Sequence, residues 1–396
     1  MKHFVGVLFV GILFTYSCTN DGDKKGETKT VIDTTAKAKV DSIIKPQPVY
    51  STNNYFNACT SLISGVNDSA SKYNSLLTTD TVWEKNAAFI NTSWEKLDKD
   101  RLQKVAKWKD TEFSESMKKT TTVFYPFSGP DFLTAVTFFP QMDTIVMLGL
   151  EPVGKFPELD KMKAKDTQAY TDDLKASLND IFNKSYFITK NMLQQLNNQK
   201  VNGTIPLISF FMKRTGNDIT DVMYIIKKDS VITEVDYNYE GKEKPFGVKI
   251  EYVAGGKLRA VYYYRYNVAN NTFNDTIAFY KRLNGMHNMI TYMKSASYLL
   301  HNKFMSNIRD MIFANSSFIL QDDTGAPFSF FTKNNDKWTT KIYGRYTKPV
   351  KDFPYLSEDS LIKKVFKDDP SIPDLPFHLG YHWGSKKDVL ILAVRK

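Results

Sequence analysis

The stretch VKIEYVAGGKLRAVYYYRY, residues 248–266, decides the fold. Apolar and polar residues alternate on both sides of Gly255-Gly256, which is typical of two strands joined by a tight hairpin turn. Three further β-type runs precede this stretch and are separated from one another by turn signals: residues 205–212, 222–226 and 231–237. Together the five runs predict an antiparallel meander in the middle of the chain.

Helical periodicity dominates on either side of this β-rich middle. Apolar residues recur at helical spacing over residues 55–119 and 158–199, and a long helix is predicted over residues 286–315. The remaining predicted elements are shorter: strands at 121–125, 144–148, 318–321, 328–331, 339–343 and 389–394, and a helix at 357–366 capped by Ser357. Because helices and strands come in blocks and do not alternate strictly, the predicted fold class is α+β. It comprises a helical N-terminal part, an antiparallel β-rich middle, and a long helix with a β-rich C-terminal part.

The composition excludes several classes of protein. Of the 396 residues, 42% are hydrophobic and 14% aromatic, which is too rich for a disordered chain. The 15 prolines and 19 glycines exclude a collagen-like protein. The 2 cysteines cannot build a disulfide scaffold or a four-cysteine zinc site, and we expect Cys59 to be a small core residue.

The N-terminus indicates export and a lipid anchor. Lys2 precedes an apolar run at residues 4–14, and Ser17 stands before Cys18. Residues 1–17 resemble a bacterial lipoprotein signal peptide, which implies lipidation of Cys18 and an outer-membrane lipoprotein that faces the periplasm or the cell surface. The alternative is an ordinary cleaved signal in which Cys18 carries no lipid. Residues 18–50 then form a flexible polar spacer, and residues 51–396 form the folded body, with candidate subdomains at 51–200 and 201–396.

Three segments resemble an uncharacterised family of exported bacterial lipoproteins of the Bacteroidetes type. They are YPFSGPDF at residues 125–132, LGLEPVG at residues 148–154, and a C-terminal set formed by QDDTG at residues 321–325 and FHLGYHW at residues 377–383. The resemblance covers most of the chain after the spacer. It implies an intact exported domain but assigns no activity, cofactor or catalytic residue.

Ser128 is the first candidate for chemistry. It follows a predicted strand, as a serine nucleophile in a sharp turn would, and the chain offers His301, His378 and His382 as possible bases. The spacing is not Gly-x-Ser-x-Gly, and a simple turn explains residues 128–131 equally well, since Ser and Asp bond to the backbone while Gly and Pro shape it.

Asp322 and Asp323 are candidate ligand contacts. They follow a predicted strand and lie in a turn, where both carboxylates could reach one cation or one sugar hydroxyl. A solvated pair that only stabilises the turn is the alternative, and the alternating oxygen ligands of a calcium loop are absent from this sequence.

Tyr381, His382 and Trp383 form a candidate rim that could stack on a sugar. His378 and His382 are four residues apart, but the intervening residues do not form a helical pattern, so we predict no metal site and no cofactor.

The residues favour a lipid-anchored envelope protein with a binding or assembly role. The alternative is an envelope hydrolase that uses Asp322 or Asp323 with His378 or His382. The expected partners are the membrane, through the lipid, and a glycan or another envelope protein. The formal charge of +10 favours anionic lipid or polysaccharide. Nucleic acid is not expected as a partner, because export removes the protein from it.

Overall fold

A computed structural model describes residues 50–67, 81–184, 187, 196, 200–346, 359–382 and 388–396. These residues belong to one compact unit, Gln47–Lys396. The predicted signal peptide, Cys18 and the predicted spacer up to residue 49 lie outside the described residues, as do Ser357 and Trp383.

The helices bury apolar side chains in the two layers that cover a central sheet. In chain order they are α1 (Asn54–Ser64), α2 (Thr81–Leu97), α3 (Gln103–Glu112), α4 (Glu115–Lys119), α5 (Phe132–Phe138), α6 (Ala164–Lys184), α7 (Ile205–Arg214), α8 (Ala278–Asn284), α9 (Ser306–Asn315), α10 (Ser329–Thr332) and α11 (Asp359–Asp368). A π-helical turn, Asp98–Leu102, joins α2 to α3, and 3-10 turns occupy Leu159–Lys161, Ser295–His301, Lys303–Met305 and Gly380–His382.

The strands form one mixed sheet, so the fold is α+β as predicted. Its strands are β1 (Thr122–Tyr125), β2 (Thr144–Gly149), β3 (Asp218–Lys228), β4 (Val231–Asp236), β5 (Gly247–Ala254), β6 (Lys257–Arg265), β7 (Met289–Met293), β8 (Ser316–Asp322), β9 (Trp338–Gly344) and β10 (Val389–Arg395). Their order is β4-β3-β5-β6-β2-β1-β7-β8-β10-β9. Strands from both sides of residue 200 therefore share one sheet.

The centre of the sheet is parallel. Strands β6, β2, β1, β7 and β8 run in the same direction, whereas β5, β3 and β4 at one side and β10 and β9 at the other are antiparallel to their neighbours. The carboxyl ends of five strands consequently meet at one edge of the sheet, which we call the carboxyl-end edge.

Two apolar layers cover the two faces of the sheet. Tyr125 and Tyr263 point into the layer that contains α1 to α7, while Phe124 and Tyr264 point into the layer that contains α8 to α11. This alternation is the period of two that a pleated strand imposes. The connection from β1 to β2 crosses the first face through α5, and the connection from β7 to β8 crosses the second through α9. Connections leave β1 and β7 toward opposite sides, which opens a crevice at their carboxyl ends.

Three predicted elements are wrong. Residues 205–212 form helix α7, because a continuous apolar run fits a buried helix as well as a strand, and Pro206 lies in its first turn. The predicted strand 328–331 is likewise a helix, because Phe328 is the N-cap of α10 and the residues after it belong to that helix. The predicted long helix over 286–315 is divided into β7, two 3-10 turns and α9, because the fully buried run Met289–Met293 pairs with β1 and β8.

The predicted meander is wrong in its strand order, although its strands are antiparallel. Strand β5 pairs with β3 and not with β4, so that β4 lies at the edge of the sheet. The residues of β4 are half-buried or exposed, and its polar side chains suit an edge, while β5 buries several residues and takes the inner position.

Candidate functional site

Polar and charged side chains gather at the carboxyl-end edge beside β1, β7, β8 and the start of β10. We call this group the carboxyl-end cluster; its members are Asp131, Lys294, Ser295, Asp322, Asp323, His378, His382 and Asp388. The antiparallel pairing of β10 with β8, in which Leu390 lies opposite Asp322, brings Asp388 to the same edge. Buried charges require partners, and the pairing of these residues organises the cluster.

Asp131 and Lys294 form a buried ion pair at the crevice between β1 and β7. Lys294 Nζ lies 2.7 Å from Asp131 Oδ2, and the two side chains are 3% and 2% exposed. Tyr125 donates its hydroxyl to the same oxygen at 3.0 Å, and Thr134 donates its backbone N–H and its hydroxyl to Oδ1. Asp131 therefore caps α5 and also binds Lys294, another member of the cluster.

Asp322 is a buried carboxyl group that is held by three donors. Its Oδ2 accepts the backbone N–H of Ser295 at 2.9 Å, and its Oδ1 accepts the N–H and the hydroxyl of Thr324 at 2.9 and 2.6 Å. Burial, and then the nearby charge of Asp323, raise the pKa of Asp322 to about 7 despite these hydrogen bonds. Asp322 can therefore change its protonation state near neutral pH.

Gly380 lets the chain pass close to Asp322. A Cβ atom at this position would lie 2.6 Å from Asp322 Oδ2, and the backbone has a φ of +63°. Only glycine fits both conditions without strain. The 3-10 turn that carries His382 is thereby placed against β8.

The sequence allowed Asp322 or Asp323 to act with His378 or His382. In the structure, Asp323 and His382 form the ion pair. His382 Nε2 lies 3.1 Å from Asp323 Oδ2, with side chains that are 13% and 7% exposed. Burial alone would lower the pKa of His382, but Asp323, followed by Asp322 and Asp388, outweighs burial and raises that pKa. The pair is an acid–base unit of the kind that orients a general base.

His378 pairs with a different carboxylate. Its Nδ1 lies 2.5 Å from Oδ2 of Asp388, which also accepts the backbone N–H of Leu379 on Oδ1 at 3.4 Å. Burial raises the pKa of Asp388 against the opposing effect of His378. The two histidines thus bind separate aspartates, and no group of three or more His, Cys, Asp or Glu side chains suited to a metal occurs in the part of the chain that the structure describes.

His378 also borders a basic groove of about 590 Å³. The side chains of Lys96, Arg101 and Lys175 line it, together with Asp100. Burial lowers the pKa of Arg101 to about 10, although Asp131 and Asp388, both members of the cluster, act to raise it. The groove therefore lies beside the cluster and carries an excess of positive charge.

Ser295 is the most strained member of the carboxyl-end cluster. It stands directly after β7 and begins a 3-10 turn, with a φ of +59° that only a few per cent of residues other than glycine adopt. Its N–H bonds to Asp322, and its carbonyl accepts the hydroxyl of Thr324 at 2.9 Å. Its Oγ is buried and has no hydrogen-bond partner among the described residues. Hydrogen bonds that join the backbone of Ser295 to Asp322 and Thr324 thus hold its φ in the strained left-handed region.

Ser128, the nucleophile considered from the sequence, occupies a different environment. Its hydroxyl lies 3.0 Å from the carbonyl oxygen of Gly129 and 3.1 Å from that of Leu148. These contacts are those of a turn residue. Tyr381 is half-buried in the same 3-10 turn as His382, and Trp383, the third member of the predicted rim, lies outside the described residues.

No family model, curated protein or solved structure matches this chain. Within the described part of the chain, no helix combines the length and the apolar character needed to span a bilayer. The chemistry of the protein must therefore be inferred from the geometry of its own side chains.

Sequence reasoning found half of the carboxyl-end cluster. It named Asp322, Asp323, His378 and His382, which the structure brings to one edge. It missed Lys294, Ser295 and Asp388, and it gave Asp131 only a role in a turn. Lys294 and Ser295 fall within the predicted long helix over residues 286–315, so they were not placed at the end of a strand. A lysine at the end of the apolar run 289–293 was a signal for a strand end with a charged function, and Asp388, directly before the last strand, was another.

Proposed function

We propose that this protein is a lipid-anchored envelope hydrolase in which Ser295 is the nucleophile and the Asp323–His382 pair supplies the base. One observation carries the proposal: a strained serine follows the end of β7, and the aspartate of an aspartate–histidine pair directly follows β8, the neighbouring parallel strand. A nucleophilic serine commonly stands on a sharp strand-to-helix turn, as Ser295 does, and a histidine held by a carboxylate accepts its proton. Asp322, which accepts the Ser295 N–H, positions the turn.

The proposed reaction is the hydrolysis of an ester. Ser295 Oγ bonds to the acyl carbon while its proton passes to His382, and the bond from the acyl carbon to the leaving oxygen breaks as His382 returns the proton to the alcohol. Water then attacks the acyl carbon in the same manner and releases the acid and Ser295. Asp323 stabilises the imidazolium that forms in each half of the reaction.

An apolar crevice next to Ser295 supports a short acyl or alkyl group as part of the substrate. It has a volume of about 80 Å³, and its lining includes Ala296, the residue after the proposed nucleophile. Phe127, Leu148 and Leu299 are among the mostly apolar side chains that line it. Apolar walls with few polar groups are usual for small-molecule sites.

A fluorophosphonate ester, which phosphonylates activated serines, tests the nucleophile. We expect one adduct, on Ser295, that is absent in Ser295→Ala and forms at least about 100-fold more slowly in His382→Asn. The labelling rate should rise with pH, with a midpoint above the usual value for histidine, because the pKa of His382 is raised and the neutral ring is the base. Mass spectrometry of the digested protein identifies the labelled peptide.

Ser128→Ala is the matched control for this experiment. In the unaltered protein the Ser128 hydroxyl contacts backbone carbonyl oxygens. Labelling of Ser295 in Ser128→Ala should therefore match that of the unaltered protein. An adduct that persists in Ser295→Ala, or no adduct at any pH between about 6 and 9, would remove the hydrolase proposal.

Lipidation of Cys18 is the proposed basis of envelope localisation. Cys18→Ala should move the protein from the detergent-extracted membrane fraction to the soluble fraction, because acyl chains supply most of the membrane affinity of such an anchor. Cell fractionation together with metabolic labelling by a fatty acid measures both effects. Membrane association that is unchanged in Cys18→Ala would contradict the anchor.

A binding or assembly role is the second candidate function, and the basic groove favours it. Lys96, Arg101 and Lys175 suit an acidic ligand, such as a glycan that carries carboxylates. A protein that takes no fluorophosphonate but binds hexagalacturonate, and loses this binding in Lys175→Glu, would support this role over hydrolysis.

A further inference from the structure

A second groove, remote in sequence from the proposed nucleophile, is rich in tyrosine. It has a volume of about 750 Å³ and lies where the start of α1, the segment after β2 and the end of β4 come together. We call it the tyrosine groove; its lining includes Asn53, Tyr55, Tyr224, Tyr237, Asn238 and Tyr239. The volume falls within the range of about 300–1,000 Å³ that small-molecule sites occupy.

Hydrogen bonds hold three of these rings in place. Tyr224 donates its hydroxyl to the carbonyl oxygen of Gly154 at 2.9 Å, and Tyr55 donates to that of Pro157 at 3.1 Å. The hydroxyl of Tyr237 accepts the backbone N–H of Phe156 at 2.8 Å. All three bonds reach the same four-residue segment, 154–157, so one short segment restrains three rings of the groove.

Ring contacts fix the orientation further. Tyr224 and Tyr237 are stacked, with centroids 5.1 Å apart and an angle of 21° between the planes. Phe56 meets Tyr237 edge to face, also at 5.1 Å. Because these contacts restrain the side chains, a ligand that packs on them loses less side-chain entropy than it would on unrestrained rings.

Charges in the groove largely cancel. Glu158 Oε1 lies 2.5 Å from Lys155 Nζ, and Glu158 Oε2 lies 2.5 Å from Lys161 Nζ. Hydrogen bonds from these two lysines, first from Lys155, lower the pKa of Glu158 to about 2, so the carboxylate stays charged at all physiological pH values. With Glu240 also in the lining, acidic and basic residues balance, unlike in the basic groove.

We propose that the tyrosine groove binds a neutral oligosaccharide. A pyranose ring presents a C–H face that packs on the electron-rich face of an aromatic ring, and its hydroxyls bond to amides, carboxylates and ammonium groups. Tyrosine faces with a rim of Asn, Lys and Glu match both requirements. A smaller groove of about 400 Å³ shares Lys155, Phe156, Glu158 and Lys161, which extends the site to more than one sugar unit.

The test is calorimetric titration of the full chain in detergent with neutral hexasaccharides: maltohexaose, mannohexaose, cellohexaose, xylohexaose and chitohexaose, with hexagalacturonate as the anionic comparison. We expect at least one neutral chain to bind more tightly than hexagalacturonate. Tyr239→Ala removes a ring whose hydroxyl bonds only to the nearby Glu243 among the described contacts, and should weaken binding about tenfold or more. Tyr280→Ala, on α8, is the matched control and should bind as the unaltered protein does.

A second variant tests the charge balance and does not depend on an aromatic substitution. Glu158→Gln frees Lys155 and Lys161, and should tighten hexagalacturonate binding about tenfold while changing neutral binding less than about threefold. Binding of none of the neutral chains, preference for hexagalacturonate in the unaltered protein, or unchanged affinity in Tyr239→Ala would each overturn the proposal. Fluorophosphonate labelling of Ser295 is independent of all these outcomes.

Discussion

Replacing Lys294 by Met is expected to lower the free energy of unfolding by about 3–5 kcal/mol, the cost of breaking a buried ion pair from one side. The substitution leaves the carboxylate of Asp131 buried, with Tyr125 and Thr134 as its remaining donors. Both charged side chains are almost fully withdrawn from solvent, so water cannot replace the lost partner. Urea denaturation followed by circular dichroism measures the change.

A double-mutant cycle separates the ion pair from the packing of the lysine. Adding Asp131→Asn to Lys294→Met removes the unpaired charge and should restore part of the lost free energy, so that the effects are not additive. Lys118→Met is the exposed comparison, because its partner Glu115 is 79% exposed, and it should change stability by less than about 1 kcal/mol. A loss of less than about 1 kcal/mol in Lys294→Met would mean that the pair does not form as described.

Between about pH 5 and pH 8, we expect the free energy of unfolding of the unaltered protein to fall by about 2–3 kcal/mol more than that of the Asp322→Asn variant. The pKa of Asp322 is raised to about 7 in the folded protein, whereas an unfolded aspartate titrates near 3.9. The folded state therefore binds more protons throughout this interval, and stability falls as pH rises until Asp322 is ionised. Each unit of pKa difference corresponds to about 1.4 kcal/mol.

Asp322→Asn removes this titration but leaves that of His382. The variant should start from a lower stability, since its amide nitrogen must face the backbone N–H of Ser295 or of Thr324 in place of an oxygen, but its curve should be flatter. His382 also has a raised pKa, and its contribution is lost as pH rises through that value in both proteins. Asp310→Asn, 69% exposed on α9, is the control. Parallel curves for Asp322→Asn and the unaltered protein would contradict the assignment.

Local patterns predicted the hairpin of residues 248–266 and most other strands, because alternation with a period of two is a property of neighbouring residues. They failed where a run is apolar throughout. Residues 205–212 and 289–293 are buried on every side, one as a helix and the other as a strand, and neither shows the one-sided pattern that separates the two.

The candidate site was partly predictable for a similar reason. Asp322, Asp323 and His382 are polar residues at the ends of predicted elements, and such positions attract functional side chains. Their partners could not be assigned, since His382 meets Asp323 across 59 positions of sequence, and Asp388 reaches this edge only through the pairing of β10 with β8. The φ of Ser295 depends on bonds to Asp322 and Thr324 and has no local signature.

The sequence by itself determined the α+β class, the hairpin at Gly255-Gly256 and the polar residues of the C-terminal part, because periodicity and turn chemistry act over a few residues. Tertiary structure decided the strand order, the parallel centre of the sheet and the meeting of Ser295, Asp323 and His382 at one edge. Those features depend on which apolar faces bury one another most completely. Such packing involves residues far apart in the sequence, so a local pattern does not specify it.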